Sequence, residues 1–299
     1  MINPKRMLIV ANLHSGKRAI RNSLYEVIDR FCAAGFVPTV RTTQARNDAE
    51  RIVAGKSNDY ELVVCCGGDG TLNETISGMM RAKTRVPIGY IPCGSTNDMA
   101  KTLSLPRDVA KATDLIINGN PVEHDVGKFG EDRYFTYVAS FGAFTRASYA
   151  TSQKIKNKLG HFAYLLSGAR ELGNIKPYRF KVTYNDQTIE DEFIFGAVSN
   201  STSFGGVLSF PKDAVTLNDG LMELMLIKKP KNPAALTGIV TSLLKKDFTN
   251  KNIVFAHASN VRFESEKELY WTIDGEQSDK IKSVVIDDVP ETIRIIRKK

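Results

Sequence analysis

The sequence predicts two domains: an α/β domain built on a parallel sheet, followed by a mainly antiparallel β domain. Three observations carry this. Strand-like and helix-like patterns alternate through the first 120 residues, as βαβ units do. After Pro121 the pattern turns to period-two alternation. The chain has 299 residues, about two domains of roughly 150.

Each element follows in order. Residues 7–11 form an apolar run that ends in Asn12-Leu13-His14-Ser15-Gly16-Lys17. Leu24, Val27, Ile28 and Phe31 recur at helical spacing, and Gly35 stands where a C-terminal cap belongs. Residues 36–41 read as a second strand and 48–54 as part of a second helix. Residues 61–66 form a strand apolar on both faces, which belongs inside a sheet. A helix over 72–81, a strand over 88–91, a helix near 97–103 and another near Val109–Asn118 complete the first half. In the second half, 133–141, Tyr178–Tyr184, 188–198 and 220–227 read as strands. A helical pattern over 146–172 interrupts them, with Tyr149, Ile155, Leu159, Phe162, Ala163 and Leu166 spaced mainly by three or four. The boundary is expected at 121–128, giving domains 1–125 and 126–287, the first completed by 288–299.

Composition excludes several classes. With 42% hydrophobic and 25% charged residues the chain is neither disordered nor fibrous. No apolar run approaches the roughly 18 to 20 residues that span a bilayer, and the short stretch after Lys5 and Arg6 is no signal peptide, so a cytoplasmic protein is expected. Cys32, Cys65, Cys66 and Cys93 lack CxxC spacing, which argues for reduced thiols. His14, His124, His161 and His257 lack any zinc-binding spacing. The net charge of +8, from 41 Lys+Arg against 33 Asp+Glu, calls for an anionic partner of some kind.

The strongest motif is Cys65-Cys66-Gly67-Gly68-Asp69-Gly70-Thr71-Leu72-Asn73-Glu74, a glycine-rich turn between a buried strand and a helix. Such a turn brings backbone N–H groups close to a phosphate at a helix N-terminus. Asp69 would repel that phosphate unless a cation bridges them or the carboxylate accepts a proton. Thr71 and Glu74 match a capping box, which predicts a helix starting there. A second loop, Cys93-Gly94-Ser95-Thr96-Asn97-Asp98, follows the next strand, and neighbouring loops of this kind converge in a parallel sheet. Neither a P-loop nor a GxGxxG fingerprint is present. Asp274-Gly275-Glu276 taken alone is a hairpin turn, and Asn218-Asp219-Gly220-Leu221 is equally a turn or a cation site.

In this order and spacing, these motifs resemble the diacylglycerol kinase catalytic-domain family, the soluble bacterial lipid kinases related to diacylglycerol, sphingosine and ceramide kinases. The resemblance runs over essentially the whole chain, from Asn12-x-x-Ser15-Gly16 to Asp274-Gly275-Glu276. Gly67-Gly68-Asp69-Gly70-Thr71 also occurs in NAD kinases and phosphofructokinases; the Gly94–Asp98 loop and the late Asp-Gly-Glu select the lipid kinases. Two positions depart: Leu13 replaces the family's Pro, and Ser95 its Thr, which keeps the hydroxyl. The resemblance implies an NAD-kinase/phosphofructokinase-like nucleotide domain and a β-sandwich-like second domain, with the catalytic cleft between them. It implies ATP binding by Asn12, Leu13, His14, Thr42, Thr43, Gly67, Gly68, Asp69, Gly70, Thr71, Leu72, Asn73 and Ser95. Asn97 of the same loop joins that set. It implies Glu276 as base on the acceptor hydroxyl, with Asp69 sharing that role or positioning Mg²⁺, and Asp274 supporting the metal. A structural Mg²⁺ would fall on the Thr216 and Leu221 carbonyls and the Asp219 carboxylate.

The expected reaction is phosphorylation of a lipid hydroxyl, diacylglycerol to phosphatidic acid, with phosphatidylglycerol or a sphingoid base as other acceptors. A kinase of NAD or a sugar phosphate would act without lipid, and a non-catalytic regulator would bind ATP without turnover. Residues 146–170 carry Arg146, Lys154, Lys156, Lys158 and Arg170 with no acid. On an anionic membrane each cation is worth roughly 1 kcal/mol, so this segment is either a membrane contact or a solvated helix face. The enzyme is therefore expected on the inner face of the cell membrane as a peripheral protein. No nucleic-acid motif accompanies the charge, and a homodimer is the default assembly.

Overall fold

The structure, a computed structural model, describes residues 5–16, 19–142, 176–204, 208–210 and 214–298. The helix expected over 146–172, and Lys17, lie outside these residues. The chain divides into two compact units, Met1–Val126 with Pro290–Lys299, and Gly127–Val289.

Unit 1 contains β1 (Lys5–Ala11), α1 (Ala19–Ala33), β2 (Phe36–Thr42), α2 (Asp48–Lys56), a 3-10 turn (Ser57–Asp59), β3 (Leu62–Gly67), α3 (Asp69–Arg81), β4 (Ile88–Pro92), α4 (Asp98–Thr102) and α5 (Val109–Asn118). The strands run parallel in the order β2-β1-β3-β4. Beyond β4 comes the last stretch of β15 (Glu276–Arg297), which pairs with it in parallel at Ile295 and Ile88. All six residues of β3 are buried, as its doubly apolar sequence requires. Val27 and Phe31 of α1 pack against Met7, Ile9 and Ala11 of β1 and Val64 of β3. Strand order reverses between β1 and β3, and in such sheets ligands bind outside the carboxyl ends of the strands at that point.

One expectation is corrected. The Thr71/Glu74 capping box does not start α3; the helix begins at Asp69 with Gly68 as an extended N-cap. Glu74 instead turns to α2, accepting the N–H groups of Asn47 (2.9 Å) and Ala49 (3.2 Å). Thr71 is already inside the helix, and its carbonyl accepts the Thr75 hydroxyl at 2.8 Å.

Unit 2 is antiparallel. It holds the end of β5 (Asn120–Phe129), β6 (Arg133–Phe135), β7 (Val138–Gly142), β8 (Tyr178–Tyr184), β9 (Gln187–Ser199), the short β10 (Ser203–Phe204) and β11 (Leu208–Ser209), β12 (Met222–Lys228), α6 (Pro233–Lys245), β13 (Ile253–Ala258), β14 (Asn260–Ile273) and most of β15. The main order is β13-β12-β9-β7-β14-β15, with β8 pairing both β9 and β14. Trp271 sits in the core, its ring 4.9 Å from Phe141, 5.0 Å from Phe263 and 5.3 Å from Phe129, all edge-on.

The single strand expected over 133–141 is two, β6 and β7, broken at Thr136 and Tyr137. The break has a cause: these residues aim their N–H groups at the Asp274 carboxylate rather than at a neighbouring strand. The strand expected to begin at 220 starts at Met222.

Candidate active site

Three loops leave the carboxyl ends of β1, β3 and β4 and meet within unit 1. Asn12 donates its backbone N–H to the Cys66 carbonyl (2.9 Å) and its side-chain amide to Thr71 Oγ1 (3.1 Å), tying the first loop to the second. Its amide oxygen accepts the His14 N–H at 3.0 Å, which shapes the turn that carries Leu13 and His14. The Cys93 N–H donates to the Gly67 carbonyl at 2.7 Å, tying the second loop to the third. The fit is tight enough to demand glycine. A Cβ on Gly94 would lie 2.6 Å from the Gly68 Cα, and one on Gly16 would lie 2.3 Å from the Cys93 carbonyl oxygen.

Asp69 occupies an unexpected position. Its carboxylate accepts the N–H groups of Asp98 and Met99, each at 3.1 Å, so it caps α4. Its geometry therefore joins the second loop to the third. Asn97 is buried and left-handed (φ 51°), and its amide makes reciprocal 2.9 Å bonds with the Gly94 N–H and carbonyl. It builds the loop. Leu72 also faces the fold: its N–H closes the first turn of α3 on the Gly68 carbonyl (3.0 Å), and its side chain is buried. The N–H groups of Gly70 and Thr71 precede that bond and have no partner within the helix. Asn73, on the next position of α3, is half-buried. Thr42 and Thr43 end β2 beside β1, Thr43 donating its N–H to the Ala11 carbonyl at 3.0 Å. Ser95 is exposed at the tip of the third loop. Arg107, which no motif marked, donates to the neighbouring Thr96 carbonyl at 2.8 Å and brings a cation to the loops.

Behind these loops the thiols are inert. Burial pushes Cys65 and Cys93 up to about 12 and Cys66 well above its ordinary value.

In unit 2, Asp274 (φ 47°) and Gly275 (φ 84°) form a two-residue hairpin turn between Ile273 and Glu276. Two successive positive φ values are the type I′ geometry that an Asp-Gly pair favours. The Asp274 carboxylate accepts the N–H (2.7 Å) and hydroxyl (2.6 Å) of Thr136 and the N–H groups of Tyr137 (3.1 Å) and Val138 (2.9 Å). Burial pushes this carboxyl up from its ordinary value, and the hydrogen bonds pull it back. Glu276, next along the turn, keeps its carboxylate at the surface, 3.8 Å from the Arg133 guanidinium.

Asp219 lies in a loop ahead of β12, exposed, with Oδ1 accepting the Leu221 N–H at 3.1 Å. Thr216 is exposed and Leu221 half-buried in the same loop. Asn200 joins this loop to the Asp274 turn: its amide donates to the Leu217 carbonyl (3.4 Å), and its backbone N–H donates to the carbonyl of Tyr137 (3.2 Å). Sequence reasoning passed over Glu223, buried on β12, whose two carboxylate oxygens have no hydrogen-bond partner. Burial, reinforced by the charge of Asp219, pushes its carboxyl up to about 8. The Asp219 carboxylate and the Thr216 and Leu221 carbonyls are a donor set that suits a hard cation such as Mg²⁺, and an orphaned carboxylate beside the loop is the kind of group such an ion satisfies. Among the described residues no cluster of three or more His, Cys, Asp or Glu side chains forms a ready-made metal cage. Likewise, no helix among them is long and apolar enough to cross a membrane.

Comparison with known proteins places this geometry. Residues 6–129 match the diacylglycerol kinase catalytic domain, and residues 138–297 match the YegS C-terminal NAD kinase beta sandwich-like domain. The chain is similar to a diacylglycerol kinase of Bacillus subtilis (strain 168), 31% identical over 91% of this chain and 90% of that protein. It is also similar to one of Staphylococcus carnosus (strain TM300), 34% identical over 91% of this chain and 89% of that one. A crystal structure of a diacylglycerol kinase from Bacillus anthracis str. Sterne superposes with a TM-score of 0.79 at 26% identity, over 100% of this chain and 98% of that one. The chain therefore belongs to the diacylglycerol kinase catalytic-domain family and is a lipid kinase, a phosphotransferase with an alcohol acceptor.

Proposed function

We propose that the chain transfers the γ-phosphoryl group of ATP to the free hydroxyl of diacylglycerol, producing phosphatidic acid and ADP. The observation that carries this is the convergence of the three glycine loops at the strand-order reversal of unit 1. It supports a nucleotide phosphate site lined by the N–H groups of Gly70 and Thr71, with Asn12, His14 and Ser95 around it. Asn97 and Asp69 hold the loops in register.

In the reaction the acceptor oxygen bonds to the γ-phosphorus, the bond from that phosphorus to the bridging oxygen breaks, and ADP leaves with the electron pair. Glu276 takes the hydroxyl proton as that bond forms, since its carboxylate is at the surface while that of Asp274 is fully engaged. Asp274 is then a positioning residue that fixes the turn. Asp219, with the Thr216 and Leu221 carbonyls, would hold a structural Mg²⁺. Mg²⁺ accompanying ATP supplies neutralisation of phosphate charge when bound. We place the enzyme on the cytoplasmic face of the membrane, with the +8 charge favouring anionic lipid.

Labelled ATP offered with vesicles of diacylglycerol, phosphatidylglycerol or a sphingoid base, and with no lipid, tests the reading. Glu276→Gln should lower kcat on diacylglycerol about 10²–10⁴-fold with ATP affinity unchanged. Wild-type turnover in that variant sinks the assignment of the base, and transfer without any lipid sinks the acceptor.

A further inference from the structure

Glu223 stands out among the buried polar groups. It is 1% exposed, and neither carboxylate oxygen finds a hydrogen bond of ordinary geometry. Its neighbours do not explain it. Across β9 it faces Ser199, whose buried hydroxyl makes no hydrogen bond of ordinary geometry, though it and the Ser201 N–H lie close enough to favour the charged carboxylate. Across β13 it faces His257, whose Nε2 is taken up with the Ala214 carbonyl at 2.9 Å. No ion pair reaches it from any Lys, Arg or His among the described residues. The nearest charge is of the same sign: Asp219, four positions earlier, lies within electrostatic reach. A buried carboxylate with another carboxylate within electrostatic reach, with no hydrogen bond of ordinary geometry and no cation among the described residues, is unstable as it stands.

We propose that Glu223 is part of the divalent-cation site of the 216–221 loop, its carboxylate facing the ion from the buried side while Asp219 faces it from the solvent side. This rests on the Mg²⁺ reading of that loop given above, and extends it to a residue outside the loop. The chemistry is that of a hard ion: the Glu223 and Asp219 carboxylates and the Thr216 and Leu221 carbonyls are all oxygen donors, and the facing His257 has its Nε2 on the Ala214 carbonyl, which selects Mg²⁺ or Ca²⁺ over thiophilic and imidazole-loving metals. β12 is a central strand between β9 and β13, so the backbone that carries Glu223 is fixed by ladders on both sides.

The test uses the full chain, stripped with chelator and kept free of ATP. Mg²⁺ binding is read by calorimetry and by the shift in Tm. Wild type should gain Tm with Mg²⁺. Glu223→Gln should bind Mg²⁺ at least tenfold more weakly and lose most of the shift, while its metal-free form melts no lower than metal-free wild type. Glu223→Asp, which keeps the charge on a shorter arm, should fall between them and covers the case of a poorly folded amide variant. The proposal is overturned if Glu223→Gln binds Mg²⁺ like wild type, or if wild type binds none. Asp219→Asn separates the two claims: if it abolishes binding while Glu223→Gln does not, the loop remains a cation site and Glu223 is a protonated core residue. Turnover on diacylglycerol, assayed on the same samples, reports on the kinase reading independently.

Discussion

The Gly67-Gly68-Asp69 turn of unit 1 and the Asp274-Gly275-Glu276 turn of unit 2 both place an acid at the end of a buried strand, and they use it in opposite ways. Asp69 reaches sideways to cap α4, leaving the first N–H groups of its own helix without an intrahelical partner. Asp274 reaches back and consumes the N–H groups of Thr136, Tyr137 and Val138, leaving the carboxylate of Glu276 at the surface. One turn displays donors, suited to an anion. The other displays an acceptor, suited to a proton. The same residue type does both because what matters is which backbone groups the carboxylate satisfies and which it leaves.

The contrast can be broken most forcefully at Asp274. Asp274→Ala leaves three backbone N–H groups and a hydroxyl buried without an acceptor, and should cost about 3 kcal/mol or more. Urea unfolding followed by the fluorescence of Trp271, the chain's one tryptophan, would show it as a lower midpoint. An unmoved midpoint would mean that Asp274 does not anchor the turn. A smaller effect belongs to the donor side: Gly94→Ala puts a methyl 2.6 Å from the Gly68 Cα and must spread the loops. ATP affinity should fall about tenfold, or about 1.4 kcal/mol, with the Trp271 transition in place. Tight nucleotide binding in this variant would separate the loops from the phosphate site. The smallest effect carries no change in stability. At pH 8 a thiol reagent should titrate Cys32 alone in the native chain and all four cysteines in guanidinium, since Cys32 is exposed while burial holds Cys65 and Cys93 at about 12. Reaction of a second native thiol would show that the sheet beneath the loops opens locally.

Local pattern and long-range chemistry were not equally legible. The helix Val109–Asn118 and the strand Tyr178–Tyr184 have the bounds their periodicity predicts, because each is decided by neighbours in sequence. The glycine loops were visible for the same reason. What stayed hidden are the side-chain to backbone bonds across the chain. Glu74 to Asn47 spans 27 positions, and Asp274 to Thr136 spans 138, which is why the capping box does not form and the strand over 133–141 breaks. Glu223 was passed over as one polar residue in an apolar strand, although Met225 and Ile227, which share its period-two face, are apolar and six of the seven positions of Met222–Lys228 are buried.

The long strand β15 imposes an order on how the protein is made. It begins with Glu276 and ends by pairing with β4, where Ile293, Ile295 and Ile296 are buried. Unit 1 therefore lacks a sheet strand until Pro290–Lys299 has been synthesised, although its other residues end at Val126. The gap of 290 − 126 = 164 residues takes about 8 to 30 s at 5–20 residues per second. The three glycine loops would spend that interval on an unfinished sheet whose β4 edge is bare, so any nucleotide binding by them should emerge only after the second unit has left the ribosome.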